Sequence, residues 1–305
     1  MITSLQTVMA GSLELDGGAM FGVVPKSVWE RKYPPQPDSN RCRWAMRCLL
    51  IRTDDGRNIL VDTGIGDKDD AKFREHFQPS LPLELALHLP AGPNFPTESP
   101  GETAATNPIL WAEEITDVFF THLHFDHVGG ASYLDERGQT QLRFPNATHW
   151  VCDAQWRWAR DPNPREAASF LPRNLDPLQD SGRLKFLPAE RDDFTWLPGI
   201  QLRTVYGHTE AMQLLLLDLP DGQRLAYGAD LIPSSAHMSV PWVMAYDVRP
   251  LRTLAEKERL LTEAVDGDWT LLFEHDFHLA GGKLRRDERG RIRLGDSFTE
   301  FRLGT

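Results

Sequence analysis

Residues 119–130 read FFTHLHFDHVGG, placing His122, His124, Asp126 and His127 within six positions. Imidazole and carboxylate are the side chains that borderline divalent metals prefer. At background frequencies the pattern HxHxDH arises by chance in roughly one chain per thousand of this length. In an extended chain alternate side chains share a side, so His122 and His124 are presented together where the apolar run DVFFT ends. Asp126 and His127 follow where the chain must turn. Gly129 and Gly130 leave room for backbone to approach a site or to begin a helix.

Four ligands suffice for one ion, and three later residues are candidates to complete a second. His208 in TVYGHTE, Asp230 in LAYGADLIP and His275 in LLFEHDFH each follow an apolar, strand-like run. Strand ends converge on one rim of a sheet, where ligand sites collect.

HxHxDH, then GHT, then an aspartate, then a His–Asp pair resembles the metallo-β-lactamase superfamily, and the likeness runs from NILVDTG (58–64) to FEHD (273–276). The resemblance implies an α/β (α+β) fold, the αββα sandwich, with two mixed β-sheets packed face to face, helices outside and a dinuclear metal site at one edge. It implies His122, His124 and His208 as ligands of one ion, Asp126, His127 and His275 as ligands of the other, and Asp230 as the bridge. Asp62 in VDTG matches a supporting aspartate. Zinc is the expected metal, with iron or manganese as alternatives. Two dications sharing an oxygen bring the pKa of a bound water to roughly 7 or below and polarise a carbonyl or phosphoryl oxygen. Asp126 would relay a proton to the leaving alkoxide.

Departures select a branch. Asp230 occupies the bridging position that the true β-lactamases of the superfamily lack. His124 stands where flavodiiron proteins carry glutamate. The run RPLRTLAEKERLLTEAVDGDWTLLFEHD is similar to the N-acyl homoserine lactonases and the methyl parathion hydrolase-like group. The expected reaction is therefore hydrolysis of an ester-type bond in a small molecule, a lactone first and an organophosphate or aryl ester second. An iron-dependent persulfide dioxygenase on the same ligands, and a non-catalytic module that keeps its metal, are the readings from other classes. Pro233 stands where the best-known lactonases place a tyrosine. His237 or Tyr246, in LIPSSAHMSVPWVMAYD, would supply the missing donor or else serve packing and turns.

The elements that must position these side chains are mostly strands. CLLIRT leads through DDG into NILVDTG as a hairpin. EITDVFFTH runs as a strand into the histidines, and ATHWVCDAQWRWA turns from strand to helix with Asp153 as its cap. In PLRTLAEKERLLTEAVDGD, Leu251, Leu254, Leu261 and Val265 mark the apolar face of a helix. DGGAMFGVVPK (16–26) reads as a tight hairpin turn or as a lip of the pocket. In the second case Met20 and Phe21, with Phe73, Phe77 and Trp242, would form an apolar channel for an acyl chain or aryl group. The Pro-rich, polar stretch 67–108 reads as an insertion in a single domain spanning 1–305, serving as a lid or as an interface in a homodimer.

Composition closes off other classes. The chain of 305 residues is 41% hydrophobic, enough for a core. Its 44 acidic against 33 basic residues give a formal charge of −11, which disfavours nucleic acid as a partner. No run of about 18 apolar residues predicts a membrane span, and no basic and then apolar start predicts a signal peptide. Three cysteines without a CxxC read as reduced core thiols of a cytoplasmic protein.

Overall fold

The computed structural model describes residues 1–80, 87–88 and 110–304. They form two compact units: Met1–Thr3, Glu14–Ala45 and Ala189–Gly304 make one, and Ser4–Leu13 with Met46–Pro188 make the other. Of the insertion expected at 67–108, most of 81–108 lies outside the described residues. Its first part forms the helix Ala71–Phe77, capped by Asp70, whose carboxylate accepts from Phe73 N at 2.8 Å.

The unit containing Met46–Pro188 holds a mixed sheet with the neighbours Leu184–Leu187, Thr148–Cys152, Asp117–Phe119 and Asn58–Val61 paired in parallel. Asn58–Val61 then pairs antiparallel with Arg41–Thr53 through the expected hairpin, with Gly56 of the DDG turn at φ +84°. Parallel strands need covering on both faces. Accordingly Asp117–Phe119 is buried throughout, and the helix Asp153–Arg160 follows Thr148–Cys152 directly. Asp153 is not the cap of that helix. Cys152 holds the cap position and Asp153 sits in the first turn, where its carboxylate favours the positive helix end and pairs with Arg157 at 2.7 Å.

The other unit is built on the strands Phe194–Leu197, Ile200–Val205, Met212–Asp218, Arg224–Tyr227, Thr270–Leu272, Gly281–Arg286 and Ile292–Phe298, adjacent in that order. All pairs are antiparallel except Arg224–Tyr227 with Thr270–Leu272, between which the helix Pro250–Asp266 makes the crossover. Met212–Leu217 is buried at every position, which explains the apolar run Leu214–Leu217 and leaves Gln213 as a buried polar side chain within the sheet.

Two expectations are corrected here. The crossover helix buries Thr253, Lys257, Leu260, Leu261 and Ala264, whereas Leu251 is 80% exposed and Leu254 and Val265 are half-buried. The helix is turned so that one threonine and one lysine join the core stripe, a tertiary override of its hydrophobic pattern. Residues 16–26 are not a hairpin. Asp16 caps the short helix Gly17–Phe21 by accepting from Ala19 N at 2.9 Å. Gly22 leaves it at φ +57°, where an added Cβ would lie 2.4 Å from Val243 O. Met20 and Phe21 are buried, not exposed.

The three cysteines are buried free thiols, as expected. Among the described residues no helix is long and apolar enough to cross a membrane.

Candidate metal centre

The first four ligand candidates come together in the unit of Met46–Pro188. The strand Asp117–Phe119 ends, and His122 and His124 follow in extended chain. His124 then caps the turn of helix Phe125–Val128 that carries Asp126 and His127. The loop is zipped to VDTGIG: Thr63 N and Oγ1 both donate to His127 O at 2.8 Å, and Gly130 N donates to Gly64 O at 2.9 Å. Added Cβ atoms at Gly129 and Gly130 would lie 2.2 Å from Ile65 O and 2.1 Å from Thr63 O, so the two glycines serve close packing of this loop on the VDTGIG backbone.

Asp62 is fully buried at φ +56°, a conformation non-glycine residues adopt at a cost of order 1–3 kcal/mol. Its Oδ1 accepts from Thr121 N at 2.9 Å, and its Oδ2 accepts from Thr121 Oγ1 at 2.7 Å and lies 3.1 Å from His127 Nδ1. Asp62 thus ties Thr121 and His127 together.

The last three candidates come together in the unit of Ala189–Gly304. His208 sits in the loop after Ile200–Val205. That loop is fixed by the Glu256 carboxylate, which accepts from Tyr206 N and Gly207 N, each at 2.9 Å, and by Val248 N and Arg249 N, which donate to His208 O and Gly207 O. Asp230 lies in the turn Ala229–Leu231, with Ala229 at φ +40°. His275 is set by backbone bonds from His275 N to Pro233 O and from Ala45 N to His275 O. Pro233, at the lactonase tyrosine position, therefore serves as a backbone anchor. Asp230 Oδ2 is 3.0 Å from His208 Nε2 and Oδ1 is 2.8 Å from His275 Nε2, so each carboxylate oxygen faces one imidazole.

The rings are oriented from behind. Nδ1 of His208 meets Asp247 Oδ1 at 2.8 Å, Nδ1 of His275 meets Ala45 O at 2.7 Å, and Nδ1 of His122 meets Thr121 Oγ1 at 3.1 Å. His124 is reversed: Nε2 lies 3.6 Å from Glu166 Oε1, and Nδ1 points at His122 Nε2, 3.1 Å away. Engaging one nitrogen fixes which lone pair is offered forward, the arrangement that metal-ligating histidines use. Burial alone would lower the pKa of His208, but the Asp230 and Asp247 carboxylates outweigh it and push it up to about 10. The donor set of imidazoles and carboxylates fits a divalent cation.

The candidate substrate residues fall into two groups. Phe21, Trp29, Tyr33, Trp44, His237 and Trp242 form an aromatic cluster, in which Phe21 stacks on His237 with centroids 4.8 Å apart and meets Trp242 edge-on at 5.7 Å. His237 has both nitrogens engaged, Nδ1 with Ser234 Oγ and Nε2 with Met20 O, and burial pushes its pKa down to about 3. It is a neutral packing residue. Tyr246 is 39% exposed. In the other unit Phe73 and Phe77 pack against Phe125, with centroids 5.2 and 4.7 Å away.

Sequence reasoning missed Asp247, Glu166 and Glu274. Asp247 and Glu166 lie in loops 39 and 42 positions from the histidines they meet, with no motif to mark them. Glu274 had one signal, its place directly before His275. Its carboxylate, that of Asp230 and a nitrogen of His275 lie within 4.8 Å of one another. The Asp276 of the same run is not part of this group, because it accepts from Ser235 N, His278 N and Leu279 N to build a turn.

Residues 47–275 match the family model of the metallo-beta-lactamase superfamily. A probable metal-dependent hydrolase from Staphylococcus aureus is 27% identical, with a TM-score of 0.78 over 97% of this chain and 96% of that one. AidC, a dizinc quorum-quenching lactonase solved with a product homoserine, has a TM-score of 0.70 over 96% of this chain and 94% of its own at 19% identity, a likeness of fold. The N-acyl homoserine lactonase AttM of Rhizobium radiobacter is 26% identical over 166 residues, 53% of this chain and 59% of AttM. This chain thus spans little more than half the length of that curated relative.

Proposed function

The chain belongs to the metallo-β-lactamase superfamily, and on that premise we propose that it is a dinuclear-metal hydrolase opening an ester-type bond, with a lactone as the first substrate class. One observation carries the reading. Asp230 offers one oxygen to His208 Nε2 and the other to His275 Nε2, the disposition of a carboxylate that joins two sites. His122, His124 and His208 would hold one ion, and Asp126, His127 and His275 the other. In support, one family model spans both sets of ligands.

When bound, such ions polarise a carbonyl oxygen and make water nucleophilic near neutral pH. The protein's own part is positional and protic. Asp62, Asp247, Thr121 and the carbonyl of Ala45 lock the imidazoles, so that little reorganisation is left for the reaction. Asp126, 9% exposed beside His127, would pass a proton to the departing alkoxide. Lactonase relatives support the lactone choice, and the apolar Phe73–Phe77–Phe125 group would suit an acyl chain.

The test is a hydrolysis screen of lactones, aryl esters and phosphotriesters on metal-loaded protein, with Asp230→Ala as control. Lactone turnover lost in the variant supports the reading. Turnover of phosphotriesters alone would move the substrate class. Oxygen uptake with bound iron and no hydrolysis would replace the reaction.

A further inference from the structure

Asp230, Glu274 and His275 bring two carboxylates and an imidazole within 4.8 Å, all at most 7% exposed. Seven ligands already satisfy the reading proposed above, and Glu274 is outside that set. Two carboxylates this close and this deeply buried repel strongly unless a proton or a cation lies with them. Two residues on from Glu274, Asp276 accepts three backbone N–H bonds and builds the turn.

We propose that Glu274 is an additional carboxylate of the metal centre, beside Asp230 and His275, and that it shifts metal choice toward harder cations. The inference rests on the dinuclear reading. Imidazole suits zinc, copper, iron and nickel, whereas carboxylate oxygens suit manganese, magnesium and calcium. A second buried carboxylate beside Asp230 adds one negative charge and one hard oxygen donor to the centre. Relative affinity for Mn2+ over Zn2+ therefore rises. The softer alternative, thiolate, is absent here, since all three cysteines lie outside the ligand group.

The experiment loads metal-stripped full-length protein with equimolar Mn2+ and Zn2+ and counts the retained ions by mass spectrometry, with the Mn2+ spin-resonance signal as a second readout. Wild type is compared with Glu274→Gln, which keeps size and loses charge, and with Glu274→Asp, which keeps charge and shortens the reach. Folding is followed by circular dichroism. Glu274→Gln should lower the retained Mn:Zn ratio at least tenfold, and Glu274→Asp should lie between it and wild type. A ratio within twofold of wild type in Glu274→Gln overturns the proposal. Should Glu274→Gln fail to fold, Glu274→Asp decides, and an unchanged ratio there overturns it equally. A wild type that retains no ion at all sinks the dinuclear reading itself, an outcome distinct from loss of selectivity alone.

Discussion

Asp62 Oδ2 lies 3.1 Å from His127 Nδ1 inside a site that excludes solvent from both residues. The same aspartate binds Thr121 N and Oγ1, so one carboxylate ties His127 to the residue that precedes His122. Asparagine tolerates the positive φ of this position, so Asp62→Asn removes charge without adding backbone strain. It should weaken metal affinity roughly 10- to 100-fold, measured by competition with a chelator, while secondary structure is retained.

Asp247 is the equivalent partner of His208, at 2.8 Å. Asp247→Asn should likewise lower metal affinity about 10-fold or more. The loop itself should survive, because Glu256, Val248 and Arg249 hold its backbone independently. A variant with unchanged affinity would mean that His208 is oriented by those backbone bonds alone.

Gly130→Ala acts through packing. The added methyl would meet Thr63 O at 2.1 Å, against backbone that cannot rotate away. Overpacking of this kind costs about 2–3 kcal/mol. Thermal unfolding should show a clear drop in Tm, and Asp62 and His127, which this contact brings together, should lose metal affinity as well.

Lys257 is 1% exposed and donates to Trp242 O at 2.6 Å. Burial pushes its pKa down to about 7 from the ordinary 10.5, against the opposing charge of Asp247. Between these values the unfolded chain binds a proton the folded chain does not, so stability rises with pH from about 7 toward 10. Lys68, buried and also pushed down to about 7, adds to the same slope. Lys257→Met should remove about half of that rise, read as Tm against pH. An unchanged slope would show that Lys257 stays protonated in the fold throughout.

The candidate ligands stood out because they fall in short motifs after strands, and strand ends are written in apolar runs such as DVFF and LLF. The hairpin at DDG was legible for the same local reason. What was not legible depends on distant partners. Nothing in PLRTLAEKERLL says that Lys257 faces inward and Leu251 outward, since that follows from what the helix packs on. The stretch 16–26 reads as a hairpin turn, and the short helix capped by Asp16 emerges only in the fold, where Gly22 packs against Val243 O. Asp247 and Glu166 reach their histidines through loops whose paths local sequence does not encode.

The most direct measurement is the number of divalent ions per chain in protein purified without chelator, for wild type and for Asp230→Ala. If the two ligand sets share Asp230, wild type should carry about two ions, and the variant should carry fewer and lose lactone hydrolysis with them. Well under one ion per wild-type chain after reconstitution, or two ions held equally by Asp230→Ala, would contradict the account.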